Sequence, residues 1–598
     1  MRRRSLLKGM AAMMAAQCAP WPDISAFAGA TARRVRPSDP AWPSASSWQR
    51  LREAVGGNLI EPQPLFAACA TDAKGAACDD VFKNMRNPFY LADQPAGTQI
   101  CGWYDAWTPA ASAYAVKARN AADVAAAVNF ARDNNLRLVV KGTGHSYLGT
   151  SNAPDSLLVW THAMNSITLH DSFVGQGCEG KIEPVTAVST GAGAVWIDLY
   201  TAVTTEAGRY VQGGGCADTG VAGLVQSGGF GSFSKGFGTA ASGLLEAEIV
   251  TADGVVRIAN ACTNPDLFWA LKGGGGGSWG VVTRLTLRTH ELPQFLGWAW
   301  GTVKARSDEA FHALIARFVS FYTDNLFNPH WGEQVHFAPD NTFEISMSSY
   351  GLGPQAAQAV WKPFFDWVTA SPGDYTITDP FGASGHSARD MWDTKGNSAM
   401  TLDPRPGVPK YHGWWNGDQG QVGVFLNGYD SLWLPARLLH EDRGRRLVDA
   451  LFAASRYKKI ELHINKGLAG APPEAIAATL DTATNPAVTE AFTLVIIADG
   501  QLGAYPEEPR AAIDLEAARK DARTIDLAAA ELRKIVPHAG SYVSESNYFN
   551  AAWQEDYWGR NYSRLRAVKD KYDPGGLFFV HHGVGSEDWS PDGFTRVL

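Results

Sequence analysis

The sequence predicts an α+β fold with two domains, and three observations lead to this prediction. Residues 108–292 contain short β-type runs broken by glycine around a strand–helix–strand unit. Residues 293–535 alternate long amphipathic stretches with strands, a pattern typical of a sheet covered by helices. The chain of 598 residues, with 45% hydrophobic and 19% charged residues, is long enough and apolar enough for two sizeable cores.

The first thirty residues resemble a twin-arginine export signal. Arg3 and Arg4 precede a weakly apolar Ala/Met run, and a small-residue cleavage site follows near Ala28. We therefore expect the twin-arginine translocase to carry the folded chain, with a cofactor already inserted, to the periplasm or the outside. A basic disordered tail is the alternative. The apolar run is shorter than the ~20 residues that a spanning helix needs, so we expect no stable membrane anchor.

The composition narrows the classes of partner. A net charge of −8, with no Lys/Arg stripe beyond the N-terminus, argues against nucleic-acid binding. The cysteines lack the spacing of zinc ligands, and His581 and His582 have no cysteine or carboxylate close by in sequence, so we predict no metal site. Cys69 and Cys78 lie close together in a loop-like segment, and we predict that they form a disulfide in an oxidising compartment.

Single elements follow from local patterns. Residues 31–107 have little periodicity and predict an N-terminal arm or cover. "YAVKA" and "LRLVVKG" predict strands, and the stretch after Asn120 predicts a helix capped by that side chain. Short β runs continue to the end of the first domain near residue 292. The tail, residues 536–598, predicts a helix closed by a Pro/Gly break at Pro574 and one last strand.

Three glycine clusters stand out, at residues 141–146 ("KGTGHS"), 212–238 and 271–280 ("LKGGGGGSWG"). The third could be a flexible linker, but apolar and apparently buried stretches flank it on both sides. Glycine-dense turns that expose successive backbone N–H groups form concave positive sites suited to phosphate. The clusters therefore predict a nucleotide-type ligand.

Neither common nucleotide motif fits these clusters. A Walker loop requires Gly-Lys-Ser/Thr after its spacing, and no cluster has it. The Rossmann motif requires Gly-x-Gly-x-x-Gly at the start of a helix, whereas Tyr147 stands at the third glycine position and loop residues follow. The ligand must therefore be held by another type of fold.

The motifs resemble those of the berberine-bridge-enzyme-like flavin oxidases of the vanillyl-alcohol-oxidase superfamily. The resemblance rests on four stretches in the family's order: "VVKGTGHSYLG", "GGGCADTGVAGLVQSGGFG", "NPDLFWALKGGGGGSWGVVT" and "YWGRNYSRLRAVKDKYDP". The tail "HHGVGSEDW" is similar to that of the isoamyl-alcohol-oxidase-like subgroup. The resemblance implies a PCMH-type FAD-binding domain at 108–292, a substrate domain of antiparallel sheet and helices at 293–535, and a C-terminal segment, 536–598, that returns to the FAD domain.

The resemblance also implies how FAD is held. His145 would be bonded to the 8α-methyl of FAD, and Cys216 to C6 of its ring. Without the motif, His145 would be interpreted as a hydrogen-bonded core residue and Cys216 as a buried cysteine or half of a disulfide. The predicted cofactor-binding residues are Lys141, Gly142, Thr143, Gly144, His145, Ser146, Gly215, Cys216, Gly220, Val221, Gly223, Gly228, Gly229, Gly238 and Val250.

The residue expected to act as the base in the reaction differs from the family pattern. Where many members have a basic tyrosine, "YVSESNY" places Glu545. A glutamate beside an apolar flavin could act as the base if desolvation raises its pKa, or it could belong to a structural network. Tyr548 is the second candidate for the base, and Lys466 could lower the pKa of a neighbouring phenol.

The resemblance implies an oxidase that takes hydride from an alcohol-type carbon of a small molecule and reduces O₂ to H₂O₂. The substrate would be a primary or benzylic alcohol, a sugar or a phenolic. A dehydrogenase that passes electrons to another acceptor is the alternative, since the family includes both. A binding protein that keeps FAD for structure is a further alternative, because Glu545 replaces the usual tyrosine.

Overall fold

The computed structural model describes residues 33–502 and 512–597. The predicted export signal, residues 1–30, lies outside the described residues. Within the described ranges, no helix is long and apolar enough to cross a membrane. The α-helices are α1 Ala45–Ala54, α2 Ala67–Thr71, α3 Ala76–Asn84, α4 Pro88–Ala92, α5 Ala121–Asp133, α6 Trp196–Tyr200, α7 Val221–Gln226, α8 Ser234–Phe237, α9 Pro265–Leu271, α10 Asp308–Phe321, α11 Pro354–Thr369, α12 Arg437–His440, α13 Arg445–Ser455, α14 Pro473–Leu480, α15 Ala487–Glu490, α16 Leu515–Arg533, α17 Trp553–Trp558 and α18 Tyr562–Tyr572.

Twenty strands are described. They are β1 Leu59–Ile60, β2 Ile100–Trp103, β3 Tyr114–Lys117, β4 Arg137–Lys141, β5 Ser156–Trp160, β6 Ile167–Phe173, β7 Val185–Gly191, β8 Arg209–Val211, β9 Leu244–Val250, β10 Val256–Asn260, β11 Val281–Glu291, β12 Phe295–Ala305, β13 Trp331–Phe337, β14 Thr342–Tyr350, β15 Tyr375–Ser387, β16 Met400–Leu402, β17 Gly413–Trp415, β18 Val424–Pro435, β19 Ile460–His463 and β20 Ala491–Leu502. The mixture of sheets and helices confirms the predicted α+β class.

Two sheets form the N-terminal half. The first has the strand order β1-β3-β5-β4, with β3, β5 and β4 parallel, and it packs on α1 and α5. Helix α5 begins where predicted, because the Asn120 side chain accepts a hydrogen bond from the backbone N–H of Asp123. The second sheet has the order β10-β9-β11-β7-β6, and β8 pairs with the end of β11. Strand β11 ends the N-terminal half, and β12 begins the next sheet four residues later.

The C-terminal half is built on a sheet of eight strands, in the order β15-β12-β14-β13-β19-β20-β18-β2. Alternate side chains point to opposite faces of these strands. Val335, Leu462 and Val495 belong to one face, which packs on α10, α11, α13 and α16. Their neighbours in sequence, including His336 and His463, line a cavity on the other face. The alternation therefore builds a core and a binding surface from the same strands.

The predicted arm at 31–107 is more than a cover. Its strand β1 pairs with β3 in the first sheet, and its strand β2 pairs in parallel with β18 at the edge of the eight-stranded sheet. The prediction of an arm is therefore wrong for these strands. Because each is at most four residues long and pairs with a distant part of the chain, local periodicity gives no sign of either pairing.

The C-terminal segment packs into the core of the second sheet through α17 and α18. Helix α18 ends at Tyr572, directly before the Asp573-Pro574 pair, because the residue before a proline avoids helical backbone angles. The predicted last strand is reduced to one bridge, between Phe578 and Leu138 of β4. The side chain of Asp573 accepts hydrogen bonds from the N–H groups of Leu577 and Phe578, which favours a turn over a strand.

Two disulfides are formed among the cysteines that the structure describes. The predicted bond between Cys69 and Cys78 is confirmed, and a second bond joins Cys178 to Cys262. The second pair closes a loop of 84 residues. Cys178 lies between β6 and β7, and Cys262 follows β10, so the bond joins two parts of the second sheet. Cys216 is free and partly exposed, so the sequence alternative in which it is half of a disulfide is wrong.

Candidate active site

A cavity of about 1140 Å³ lies where the two N-terminal sheets meet the open face of the eight-stranded sheet. Glycine clusters 142–144, 214–223 and 275–280 contribute to one side of its wall, and strands β13, β19 and β20 contribute to the other. The volume exceeds the usual ~300–1,000 Å³ of small-molecule sites. The cavity is therefore large enough for a long ligand together with a second, smaller molecule.

The first loop follows directly after β4 and exposes its backbone to the cavity. None of the N–H groups of residues 143–146 donates to an acceptor within the residues that the structure describes. Gly144 has φ +87°, and a Cβ there would lie 2.8 Å from the carbonyl oxygen of Gly97, so no other residue fits. Successive unsatisfied N–H groups on a cavity wall favour a ligand rich in acceptor oxygens.

His145 projects from this loop into the cavity beside a buried carboxylate. Its Nε2 lies 3.2 Å from Oδ2 of Asp218, whose side chain is 3% exposed. The N–H direction at Nε2 does not meet hydrogen-bond geometry, so the contact is an electrostatic one. The arrangement leaves the other ring nitrogen of His145 without an acceptor or donor among the described side chains.

Cys216 lies in the second glycine loop, two residues before Asp218. Cys216 and Asp418 both line the cavity. Burial, and then the charges of Asp418 and Asp218, raise the pKa of the thiol well above its usual range. Burial raises the pKa of Asp418 to about 7, and the charge of Asp218 adds to this shift.

Asp418 reaches the cavity from a segment that covers the second loop. This cover segment consists of β17 and the 3₁₀ turn Asn416–Gln421. The indole N–H of Trp415 donates to the carbonyl oxygen of Gly215 at 3.2 Å, and the hydroxyl of Tyr147 donates to Oε1 of Gln421 at 3.0 Å. The cover segment is thus fixed to both glycine loops.

On the opposite wall, Glu545 forms an ion pair with Lys466, and both side chains line the cavity. Glu545 is 19% exposed and Lys466 is 9% exposed. The hydroxyl of Ser431 donates to the backbone carbonyl of Glu545, which holds this residue on the sheet. Lys466 was predicted to lower the pKa of a neighbouring phenol, and its ammonium contacts the carboxylate of Glu545.

Two buried tyrosines lie near this pair. The rings of Tyr147 and Tyr429 are 5.2 Å apart, and both line the cavity. Burial, and then the negative charge of Glu545, raise the pKa of each phenol well above its usual range. Both phenols therefore stay protonated and can donate hydrogen bonds, but neither is suited to accept a proton.

A second charged group lies further along the sheet. Glu461 contacts the ammonium of Lys459 at 2.6 Å and the ring of His463 at 3.4 Å. Burial alone would raise the pKa of Glu461, but the hydrogen bond from His463 and the charges of His336 and Lys459 lower it well below its usual range. Glu461 therefore stays ionised within this network of Lys459 and His463.

The structure brings most of the predicted site residues together. Those that line the cavity are Gly142, Thr143, Gly144, His145, Ser146, Gly215, Cys216, Gly220, Gly223, Lys466 and Glu545. Gly223 has no atom within 4 Å of the position where a Cβ would stand, and this open space allows a ligand to approach the backbone. The predicted residues Lys141, Val221, Gly228, Gly229, Gly238, Val250 and Tyr548 do not line the cavity.

Lys141 is buried and holds another part of the chain. Its ammonium donates to the carbonyl oxygens of Gln94, Pro95 and Gly97 at 2.6, 3.2 and 2.5 Å. Three backbone acceptors satisfy all three N–H groups of the ammonium. The ammonium predicted to contact the cofactor is thus already occupied by the chain itself. Its role is to fix residues 94–97 beneath the first glycine loop.

The other predicted site residues that do not line the cavity have structural roles. Val221 and Val250 are fully buried in hydrophobic cores. Gly229 has φ +76°, and a Cβ there would lie 2.3 Å from the side chain of Leu224. Gly228 and Gly238 also have positive φ in the turns around α8. The ring of Tyr548 stacks on that of His581 at 3.8 Å, outside the cavity wall, which favours Glu545 over Tyr548 as the base.

Sequence reasoning missed two carboxylates, Asp218 and Asp418, and the phenols Tyr147 and Tyr429. Asp218 had a weak signal, because it lies in the same glycine loop as Cys216. Asp418 had none, because it lies far from the glycine clusters in sequence and reaches them only through the cover segment.

The comparisons with known proteins agree with this geometry. Residues 112–260 match the model of an FAD binding domain, and residues 525–585 match the berberine and berberine-like model. An FAD-linked oxidoreductase of Aspergillus versicolor, notD', is 30% identical over 604 residues, which cover 96% of this chain and 91% of that protein.

Solved structures of flavoproteins are also similar to this chain. The crystal structure of the VAO-type flavoprotein MtVAO615 from Myceliophthora thermophila C1 superposes with a TM-score of 0.75 at 26% identity, covering 93% of this chain and 98% of that one. Glucooligosaccharide oxidase from Acremonium strictum shares the fold, with a TM-score of 0.59 at 19% identity, covering 79% of this chain and 92% of that one.

The fold and the cavity thus define an FAD-linked oxidoreductase. The chain belongs to the berberine-bridge-like FAD-linked oxidoreductases of VAO type. The exposed N–H groups of residues 143–146 and the open space at Gly223 fit an FAD whose acceptor oxygens and ring contact the glycine loops.

Proposed function

We propose that the protein is an oxidase that carries FAD through two covalent bonds, from His145 to the 8α-methyl and from Cys216 to C6. Both side chains line the same cavity, and neither is engaged in a disulfide or a metal site among the described residues. Glucooligosaccharide oxidase, which shares the fold, carries a 6-S-cysteinyl, 8α-N1-histidyl FAD. Two bonds would keep the cofactor from dissociating and leave its ring open to a bulky substrate.

One observation supports the catalytic part of this proposal: the Glu545–Lys466 pair lines the same cavity as the two attachment residues. When bound, FAD supplies the acceptor for a hydride. Glu545 takes the proton of the substrate hydroxyl, because a carboxylate on the cavity wall is a suitable general base. Lys466 holds the Glu545 carboxylate in place and balances its charge until the proton arrives.

The surrounding groups are suited to binding. The phenols of Tyr147 and Tyr429 remain protonated and can donate hydrogen bonds to a polyhydroxylated or phenolic substrate. Trp298, Trp300 and Trp415 also line the cavity and offer flat apolar surfaces for stacking. The substrate is therefore an alcohol-type compound, either a sugar or, as the isoamyl-alcohol-oxidase-like tail favours, a primary or benzylic alcohol.

We also propose that the protein is exported by the twin-arginine translocase to the periplasm or the outside. The twin arginines of the N-terminus suggest this route, and the disulfides Cys69–Cys78 and Cys178–Cys262 are consistent with an oxidising compartment. Fractionation of cells that express the full chain, with Arg3 and Arg4 both changed to Lys as the control, tests the route. Retention of the wild type in the cytoplasm contradicts it.

The test of function is a screen of alcohols, sugars and phenolics coupled to peroxide detection, performed on holoprotein. The proposal predicts peroxide release with at least one class, and bleaching of the flavin by the same compound without oxygen. Stopped-flow mixing of the reduced protein with air then measures reoxidation. Bleaching followed by slow reoxidation in air identifies a dehydrogenase instead, and no bleaching with any class contradicts an alcohol-oxidising role.

A further inference from the structure

We propose that Asp418 is the base that takes the thiol proton of Cys216 when this sulfur bonds to C6 of the flavin. The inference rests on the two-bond attachment proposed above. It assigns to a residue of the cover segment a role in maturing the enzyme, separate from the oxidation of substrate.

The geometry places Asp418 beside the reacting atom. Both Asp418 and Cys216 line the cavity, and the hydrogen bond from Trp415 to the carbonyl oxygen of Gly215 fixes the cover segment to the neighbour of Cys216. One carboxylate oxygen of Asp418, Oδ2, is fully buried and has no hydrogen-bond partner within the described part of the chain. A buried carboxylate oxygen without a partner lowers the stability of the fold, so its presence at a site indicates a further function.

The other carboxylates in this region already have partners. Glu333 accepts a hydrogen bond from the hydroxyl of Ser232 at 2.5 Å, and Glu545 is paired with Lys466. Asp218 contacts His145, as described above. Asp418 is therefore the carboxylate with a free capacity to accept a proton beside the thiol.

The chemistry requires such a base. The thiolate, not the thiol, is the nucleophile, and the raised pKa of Cys216 keeps the group protonated in the folded chain. Asp418, with a pKa of about 7 because of burial, is close to half ionised at neutral pH. A base with a pKa near the working pH, beside the group that loses the proton, is an efficient arrangement for proton transfer.

The step balances with dioxygen as the oxidant. The S–H bond breaks, its proton goes to Asp418, and an S–C6 bond forms. The hydrogen on C6 leaves as a proton, and the electron pair enters the ring system. Dioxygen then takes two electrons and two protons, so that one thiol, one C6–H and one O₂ give one thioether and one H₂O₂.

The test is peptide mapping of purified holoprotein after trypsin digestion. His145 lies on the tryptic peptide 142–181 and Cys216 on 210–235. Two bonds to one flavin join these peptides into a single cross-linked species. One bond leaves the second peptide free, with an alkylatable thiol. Asp418→Asn keeps the shape and removes the base, and Glu333→Gln is the matched control that removes a nearby carboxylate.

The expected result is cross-linked peptide in the wild type and in Glu333→Gln, with about a tenfold or greater loss in Asp418→Asn. Flavin still bound to peptide 142–181 in Asp418→Asn shows that this variant folds and binds FAD. Its thioether should then form slowly in air at pH about 9.5, where hydroxide replaces the missing base.

Two outcomes would contradict this inference, and each has a different meaning. If the wild type lacks the cross-linked species, the proposed two-bond attachment is wrong and this inference is wrong with it. If Asp418→Asn contains as much cross-linked peptide as the wild type, the attachment stands and the role of Asp418 is overturned, even where the variant oxidises substrate more slowly.

Discussion

The Oδ2 atom of Asp218 lies 3.2 Å from Nε2 of His145, so a buried carboxylate faces the proposed attachment histidine on the side away from its free nitrogen. When the lone pair of that free nitrogen forms the bond, the imidazole ring carries a positive charge until the proton on Nε2 leaves. Asp218 stabilises this charge at short range in a site of low dielectric constant. The pair thus acts through charge, in place of the hydrogen bond found in the carboxylate–histidine pairs that orient catalytic imidazoles.

Asp218→Asn should therefore lower the fraction of flavin attached through His145 by about tenfold or more, since carboxylates that orient a histidine have effects of this size. The amount of flavin bound to the tryptic peptide 142–181, which contains His145, measures this fraction apart from any bond to Cys216. Asp449→Asn is the matched control, because Asp449 contacts His312 at 2.8 Å on the surface. Equal amounts of flavin on this peptide in Asp218→Asn and the wild type would show that Asp218 has no part in attachment at His145.

Glu545→Gln should slow flavin reduction by an oxidisable alcohol by about 10²–10⁴-fold, the usual cost of losing a general base. Anaerobic stopped-flow absorbance gives this rate directly. Tyr548→Phe should stay within about threefold of the wild type, because Tyr548 stacks on His581 and does not line the cavity. The opposite pattern would make Tyr548 the base and Glu545 a structural partner of Lys466.

The two disulfides should differ in their contribution to stability. They close loops of 9 and 84 residues, and the chain-entropy model gives about 2 kcal/mol more for the longer loop. Replacing both Cys178 and Cys262 by Ser should therefore lower the free energy of unfolding more than replacing both Cys69 and Cys78. Denaturant unfolding with and without reductant measures the difference, and the reverse order would contradict the entropic explanation.

His290 should make the protein less stable in acid. Burial, and then the charges of Arg288 and Arg209, lower the pKa of His290 to about 4, from 6.5 in the unfolded chain. Between these values the unfolded state binds more protons, so stability falls as the pH falls from 6.5 through 4. His290→Phe keeps a ring beside Phe237. Between pH 7 and 4.5 its free energy of unfolding should fall by roughly 2 kcal/mol less than that of the wild type. An identical loss in both proteins would assign the acid sensitivity to other groups.

Much of the fold was predictable, because it follows from local patterns. Asn120 caps α5 as expected, and alternation along β13 and β19 separates core from cavity residues. The pairing of β2 with β18 was not predictable, since a parallel pair of distant, short segments leaves no periodic signal.

In the site, too, some residues follow from local sequence motifs and others are brought together only by the fold. His145 and Cys216 were predicted because the glycine motifs around them resemble those of the family. The contacts of Lys141 could not be predicted, because its place beside the motif does not reveal that its ammonium binds the carbonyl oxygens of residues 94–97. Asp418 was missed because only the folded cover segment brings it to Cys216.

The most direct test of the account is acid precipitation of the purified protein, followed by measurement of flavin in the pellet and of the intact mass. The account predicts that the yellow colour and the fluorescence under ultraviolet light stay with the pellet, and that the mass exceeds that of the bare chain by one FAD. If all the flavin passes into the supernatant and the mass is that of the polypeptide alone, covalent attachment at His145 and Cys216 is contradicted.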